Sequence, residues 1–90
     1  MEHTQLALID GDSMRDTLCT SDLVLLDLRT QRRRDGIYAI RQGEALLCKR
    51  IQFVGDILRV SSDNSHYPAF EANAEELSIV GRAVWFGRRV

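Results

Sequence analysis

Cysteine is scarce in this 90-residue chain, and its two, Cys19 and Cys48, fit no metal-binding spacing and are too few for a disulfide framework. Both read as small buried hydrophobes. The two histidines, His3 and His66, stand far apart without a CxxC or HxxxH companion, so neither a metal site nor a cofactor is expected. No sign of charge dominates. A net charge of −1 and a pI near 6.1 exclude a strongly basic nucleic-acid module, so any contact with DNA must come from another part of the protein. The longest apolar runs, such as Leu23–Leu26, fall far short of the roughly 20 residues that cross a bilayer, and the N-terminus has no signal-peptide pattern. A soluble, cytoplasmic chain without a membrane partner is expected.

What is present is ordinary globular material: 44% hydrophobic, 28% charged, with no internal repeat or low-complexity tract. Residues 1–90 fit one domain. At this size only about 60–65% of the unfolded chain's surface can be buried, so a second copy would add useful burial.

Short β segments with short connections fill the chain. Gln5–Ile9 is a candidate first strand, and Leu23–Arg29 is the clearest β run, almost continuously apolar before its polar end. Thr30–Asp35 is a solvated loop carrying Arg32-Arg33-Arg34. Gly36–Arg41 and Glu44–Phe53 form a hairpin across Gln42-Gly43, and Ile57–Ser61 follows the turn Val54-Gly55-Asp56. Ser62–Pro68 is loop, Ala72–Glu76 a short helical turn, and Leu77–Val90 a long β segment bent at Gly81. Its Val84-Trp85-Phe86 cluster places large apolar groups on both faces, one for the core and one for a second copy. The class is all-β with antiparallel pairing.

One residue sits on the wrong side of its strand. In Glu44–Phe53 the period of two puts Leu47, Lys49, Ile51 and Phe53 on one face and Leu46, Cys48, Arg50 and Gln52 on the other. Lys49 is thus in the more apolar row, where it either snorkels to water or is desolvated toward its neutral amine. An unperturbed lysine is neutral at pH 7 in only about one molecule in a few thousand, so a lysine base requires burial. Its candidate substrate for deprotonation lies upstream in Gly11-Asp12-Ser13-Met14, since a desolvated lysine can activate a serine without histidine or aspartate. Ser13-Met14-Arg15-Asp16 also matches a helix-start capping box. The two roles are compatible, because a serine at a helix entrance has free backbone N–H groups beside it, here those of Ser13 and Met14, that can hold an oxyanion. The triplet Ser62-Asp63-Asn64 occurs in β-lactamases, but the Ser-x-x-Lys and Lys-Thr-Gly that should accompany it are missing.

From Gly11 to Val90 the chain resembles the C-terminal domain of LexA-like and phage-repressor proteins, a family of self-cleaving serine peptidases. The resemblance rests on Gly11-Asp12-Ser13-Met14, Asp22-Leu23-Val24-Leu25, Asp35-Gly36-Ile37-Tyr38, Leu47-Cys48-Lys49-Arg50-Ile51, Ser62-Asp63-Asn64 with Tyr67-Pro68, and Ile79–Trp85, six pieces in order. It implies Ser13 as nucleophile and Lys49 as general base. It also implies coiled antiparallel sheets of the LexA and signal-peptidase type with one short helical turn after the serine. Homodimerisation through this domain and an upstream helix-turn-helix domain that binds operator DNA are implied too, with cleavage promoted by a RecA–single-stranded DNA filament.

The chain departs from the family pattern where Asp16 and Ser21 replace the proline and glycine usual after the serine motif, so the loop into the second strand is expected to be shaped differently. Only twelve residues precede Ser13, too few for a helix-turn-helix or the usual cleavage loop. The reading is therefore a repressor C-terminal domain with latent self-cleavage. A catalytically silent dimerisation module and a signal-peptidase relative stand as the alternatives.

Overall fold

The computed structural model describes residues 3–29 and 33–90. Thr30, Gln31 and Arg32, part of the expected arginine loop, lie outside the described residues. The strands are β1 (Thr4–Leu8), β2 (Leu23–Asp27), β3 (Gly36–Gln42), β4 (Ala45–Val54), β5 (Ile57–Ser61), β6 (Phe70–Asn73) and β7 (Ser78–Gly87). They form an antiparallel sheet in the order β1-β2-β7-β3-β4-β5-β6. The protein is all-β.

The central strand β3 explains why the sheet must coil. Ala39 packs in a core with Met14, Leu18, Val24 and Leu26, while its neighbours Tyr38 and Ile40 pack in a second core with Ile51, Leu58 and Val60. Successive residues of a strand point to opposite faces, so the two halves of the sheet close over opposite faces of β3. Two bulges in β7 assist. Val80 has no partner where Ala39 pairs with Gly81 and Ile40 with Ile79, and Val84 is skipped where Leu25 pairs with Trp85 and Leu26 with Ala83. Each extra residue bends the strand and strengthens its twist. The bend expected at Gly81 thus falls beside the first bulge, and glycine is needed there for close approach: a Cβ would lie 2.8 Å from the Asp27 carbonyl oxygen.

Three details differ from expectation. Phe70–Asn73 is a strand pairing with β5, and the helical turn is confined to Ala74–Glu76. An edge strand of four residues carries too little alternation to announce itself. After the serine there is a run of turns rather than a helix, closed by Arg15 N–H to the Asp12 carbonyl at 3.2 Å and Leu18 N–H to the Met14 carbonyl at 2.8 Å. Among the described residues no helix is long and apolar enough to cross a membrane.

Candidate active site

The Ser13 turn is anchored from below. Met14 and Leu18, each 2% exposed, are driven into the first core, and the turn that links them hangs from these two apolar plugs. The expected capping box does not form among the described residues. The Asp12 carbonyl takes the amide that closes the turn, and the solvent-exposed Asp16 carboxylate lies 3.7 Å from Arg15. The Ser13 hydroxyl consequently has no hydrogen-bond partner among the described residues, and neither do the amides of Ser13 and Met14. A free hydroxyl with two free donors beside it has the makings of a nucleophile and an oxyanion site.

Lys49 lies on β4, directly across from Tyr38 on β3. Its face is the apolar one, shared with Leu47 and the fully buried Ile51. β5 pairs with β4 only from Arg50 to Val54, so at Lys49 the outer edge of β4 has just been released. The chain leaving β5 passes there as the loop 62–69. Lys49 Nζ donates to Ser62 Oγ at 2.8 Å and lies 5.3 Å from the centroid of the Tyr67 ring. Burial holds the Lys49 ammonium below the ordinary lysine range.

The same loop grips the serine turn. Asn64 N–H donates to the Ser13 carbonyl at 2.9 Å, and the Asn64 side-chain amide donates to the Asp12 carbonyl at 3.0 Å. Asp63 N–H approaches Met14 Sδ at 3.5 Å, and the Tyr67 hydroxyl donates to Asp12 Oδ1. The Asp63 carboxylate receives Arg50 Nε and Nη2 at 2.8 and 2.7 Å and the Thr17 hydroxyl. Arg50 accordingly holds the Asp63 carboxyl below the usual carboxylate range. Ser13 and Lys49 are thus attached to one loop at positions two residues apart, yet no hydrogen bond joins them. The nitrogen is engaged by Ser62. A narrow cleft of about 30 Å³ beside the serine is lined by Ile9, Gly11, Ser13, Met14, Leu47 and Cys48. Burial pushes the Cys48 thiol up, as befits a packing residue.

The chain belongs to the Peptidase S24-like family. That family matches residues 1–84. The chain is similar to an uncharacterized HTH-type transcriptional regulator of Haemophilus influenzae, 35% identical over 83 residues, which span 87% of this chain and 35% of the relative. It is similar also to the 26 kDa repressor protein of Escherichia phage HK022, 31% identical over 87 residues, or 92% of this chain and 37% of that protein. The chain therefore spans about a third of the length of these two relatives.

Sequence reasoning missed Ser62, Asp63 and Tyr67 as members of the site. Ser62 was within reach of it: counting outward from the two-residue turn Gly55-Asp56, where Val54 pairs with Ile57 and Arg50 with Ser61, the next pair is Lys49 with Ser62. It missed Asp22 as well. In sequence it closes the turn-forming triplet Thr20-Ser21-Asp22, yet it is 1% exposed and accepts Arg88 Nε at 2.9 Å, Arg88 Nη2 at 2.8 Å and the Cys19 amide at 2.9 Å. This staples the end of β7 to the turn behind the serine. Among the described residues no three His, Cys, Asp or Glu side chains converge in a way that could hold a metal ion.

Proposed function

We propose that this chain is the C-terminal dimerisation and self-cleavage domain of a phage-type transcriptional repressor, with Ser13 as nucleophile and Lys49 as general base. The observation that carries this reading is the loop 62–67, which holds the carbonyl of Ser13 and the amine of Lys49 at once while burial disfavours the ammonium.

In the proposed reaction the neutral Lys49 amine leaves Ser62, takes the Ser13 proton, and the Ser13 oxygen forms a bond to the carbonyl carbon of a peptide. The oxyanion faces the amides of Ser13 and Met14. The carbon–nitrogen bond breaks as Lys49 returns the proton to the leaving amine. Water, deprotonated in turn by Lys49, then releases the acyl group as a carboxylic acid and restores the serine. The scissile bond would lie in the linker to an upstream helix-turn-helix domain that binds operator DNA in the cytoplasm. The names of the two relatives favour such a parent. A RecA–single-stranded DNA filament is the proposed inducer.

The dimer surface we assign is the outer face of β1, β2 and β7. Leu6, Leu25 and Trp85 stand in one cross-strand row and Leu8, Leu23 and Gly87 in the next. Leu6, Leu8, Leu23 and Trp85 are 58%, 67%, 43% and 56% exposed, more large apolar surface than a lone domain ordinarily leaves in water. Light scattering should report a dimer, and Trp85→Ser a monomer. A monomeric parent of normal sequence would refute this surface.

Incubation of the full-length parent should yield two fragments at a rate that climbs with pH until Lys49 has lost its proton. Ser13→Ala and Lys49→Ala should each stop cleavage while leaving the fold intact. Retained cleavage in either variant refutes the dyad. A second reading, the catalytically silent dimerisation module, is favoured by the bond of Lys49 to Ser62 instead of Ser13. It predicts no cleavage at any pH.

A further inference from the structure

Lys49 is the sole lysine of the sequence, and among the described residues it forms no ion pair, although acidic residues stand in both loops around it. We infer that Tyr67 is a positioning residue for the Ser13–Lys49 pair, its ring covering the amine and its hydroxyl occupying the Asp12 carboxylate that would otherwise be free to capture the ammonium. The inference rests on the function proposed above, and it names what holds that pair in a usable state.

Most of the charged and titratable groups on the elements beside Lys49 have partners of their own, and in the serine turn Arg15 and Asp16 stand 3.7 Å apart. Across the ladder on β3, Tyr38 donates its hydroxyl to the Arg34 carbonyl at 2.6 Å and is turned away from reaction. Next along β4, Arg50 is spent on Asp63, whose second partner is Thr17. Cys48 belongs to the opposite face. In the loop after β5, His66 approaches the Asn64 side chain, with Nδ1 and the backbone N–H each 3.0 Å from Oδ1. Asp12, the residue immediately before the nucleophile, is linked to the amine through Tyr67, whose hydroxyl binds the carboxylate while its ring lies beside Nζ.

The hydroxyl and the ring make separable contributions. A carboxylate brought to an amine favours the charged form, and a charged amine cannot accept a proton. Tying Asp12 to Tyr67 therefore preserves basicity, and it braces the serine turn against the loop in addition to the bonds from Asn64. The ring, its centroid 5.3 Å from Nζ, stands where it can keep water from one side of the amine. A cation–π attraction at that range favours the ammonium, but at a partly exposed site it is a small effect, and burial acts the other way, lowering the proton affinity of Lys49. Tyr67 itself is placed by its own N–H, which donates to the Asn64 carbonyl at 3.1 Å, so the residue that grips Ser13 also sets the ring.

Since the chain has one lysine, a protein labelled with ¹³C at lysine Cε gives one side-chain signal, and its chemical shift against pH reads the protonation of Lys49 directly. Tyr67→Phe keeps the ring and frees Asp12, so its titration midpoint should move up. Adding Asp12→Asn should bring the midpoint back to or below that of the unaltered protein. Tyr67→Ser should move it up without being restored by Asp12→Asn, because the amine is then hydrated. In the cleaving parent, each unit of upward displacement should slow cleavage at neutral pH about tenfold, the factor by which the neutral fraction falls. An unchanged midpoint in Tyr67→Phe, with an unchanged urea midpoint to certify the fold, would overturn the inference. The titration decides this whether or not the parent cleaves, so the failure of the dyad and the failure of Tyr67's role are told apart.

Discussion

Asp63 is the knot by which the serine turn, the lysine strand and the intervening loop are tied, and replacing it with asparagine should loosen all three. Its carboxylate takes two nitrogens of Arg50 and the Thr17 hydroxyl, with the Asp63 side chain 17% and the Arg50 side chain 46% exposed. Hydrogen bonds to charged groups contribute about 1.5–3 kcal/mol when shielded. With half of the guanidinium in solvent, screening brings the expected loss to about 1–2 kcal/mol. For a domain of this size the urea dependence is about 1 kcal/mol per molar, so the unfolding midpoint of Asp63→Asn should fall by about 1–2 M at pH 7. The pH dependence has a definite sign. Arg50 holds the folded-state carboxyl below its usual range, so the unfolded chain binds the proton first as the solution is acidified. The stabilisation is complete above the unfolded carboxyl pKa of about 4 and drains away as pH falls through the lower folded value. The gap between the two proteins should therefore narrow across that window. A gap that persists unchanged into acid, or an asparagine variant as stable as the parent sequence at pH 7, would refute the account of Asp63 as a charge-bearing knot. A double-mutant cycle with Arg50→Met isolates the pair and should recover most of the loss.

Ile51→Ala, at a position with no exposure in the middle of the second core, should cost about 2–4 kcal/mol in urea unfolding through the cavity it leaves. Gly81→Val should destabilise more than a surface change, by at least about 1 kcal/mol, because the added Cβ meets the Asp27 carbonyl oxygen at 2.8 Å and backbone cannot step aside as a side chain can. Asp22→Asn weakens the staple to Arg88, so amide exchange at Cys19 and over the end of β7 should quicken. Arg88 holds the Asp22 carboxyl below its ordinary range, so in the unaltered protein the same loss of protection, taken relative to the intrinsic exchange rate at each pH, should set in only as pH falls below that range, and protection indifferent to acid would contradict it.

What the sequence disclosed follows the reach of the interactions that make each part. The period of two in β4 is a property of the strand alone, and it exposed Lys49 as a charge in an apolar row before any partner was known. The two-residue turns are equally local, with positive φ at Gly43 and Gly55, and they fix the registers on either side, although the first, expected at Gln42-Gly43, falls one residue later at Gly43-Glu44, since Gln42 pairs with Ala45. Asp22 could not be read this way. Its meaning comes from Arg88, 66 positions later, and the turn signal of Thr20-Ser21-Asp22 is satisfied whether or not the arginine arrives. The strand Phe70–Asn73 is legible only from β5, the neighbour that recruits it.

Ser13 shows where local reading misleads by being half right. A capping serine would spend its oxygen on the Asp16 amide, and the sequence pattern permits that. In the fold, Met14 and Leu18 are pulled into the first core and the Asp12 carbonyl closes the turn, so the hydroxyl is left without work in the scaffold. The loop that then secures the turn does so through the carbonyls of Asp12 and Ser13, the Met14 sulfur and the Asp12 carboxylate, and leaves that hydroxyl alone. A scaffold that needed Ser13 for a cap would lose stability on Ser13→Ala. This one should not, and equal urea midpoints for Ser13→Ala and the unaltered chain are the expected result. A loss of about 1 kcal/mol, the ordinary worth of an N-cap, would return Ser13 to a structural role.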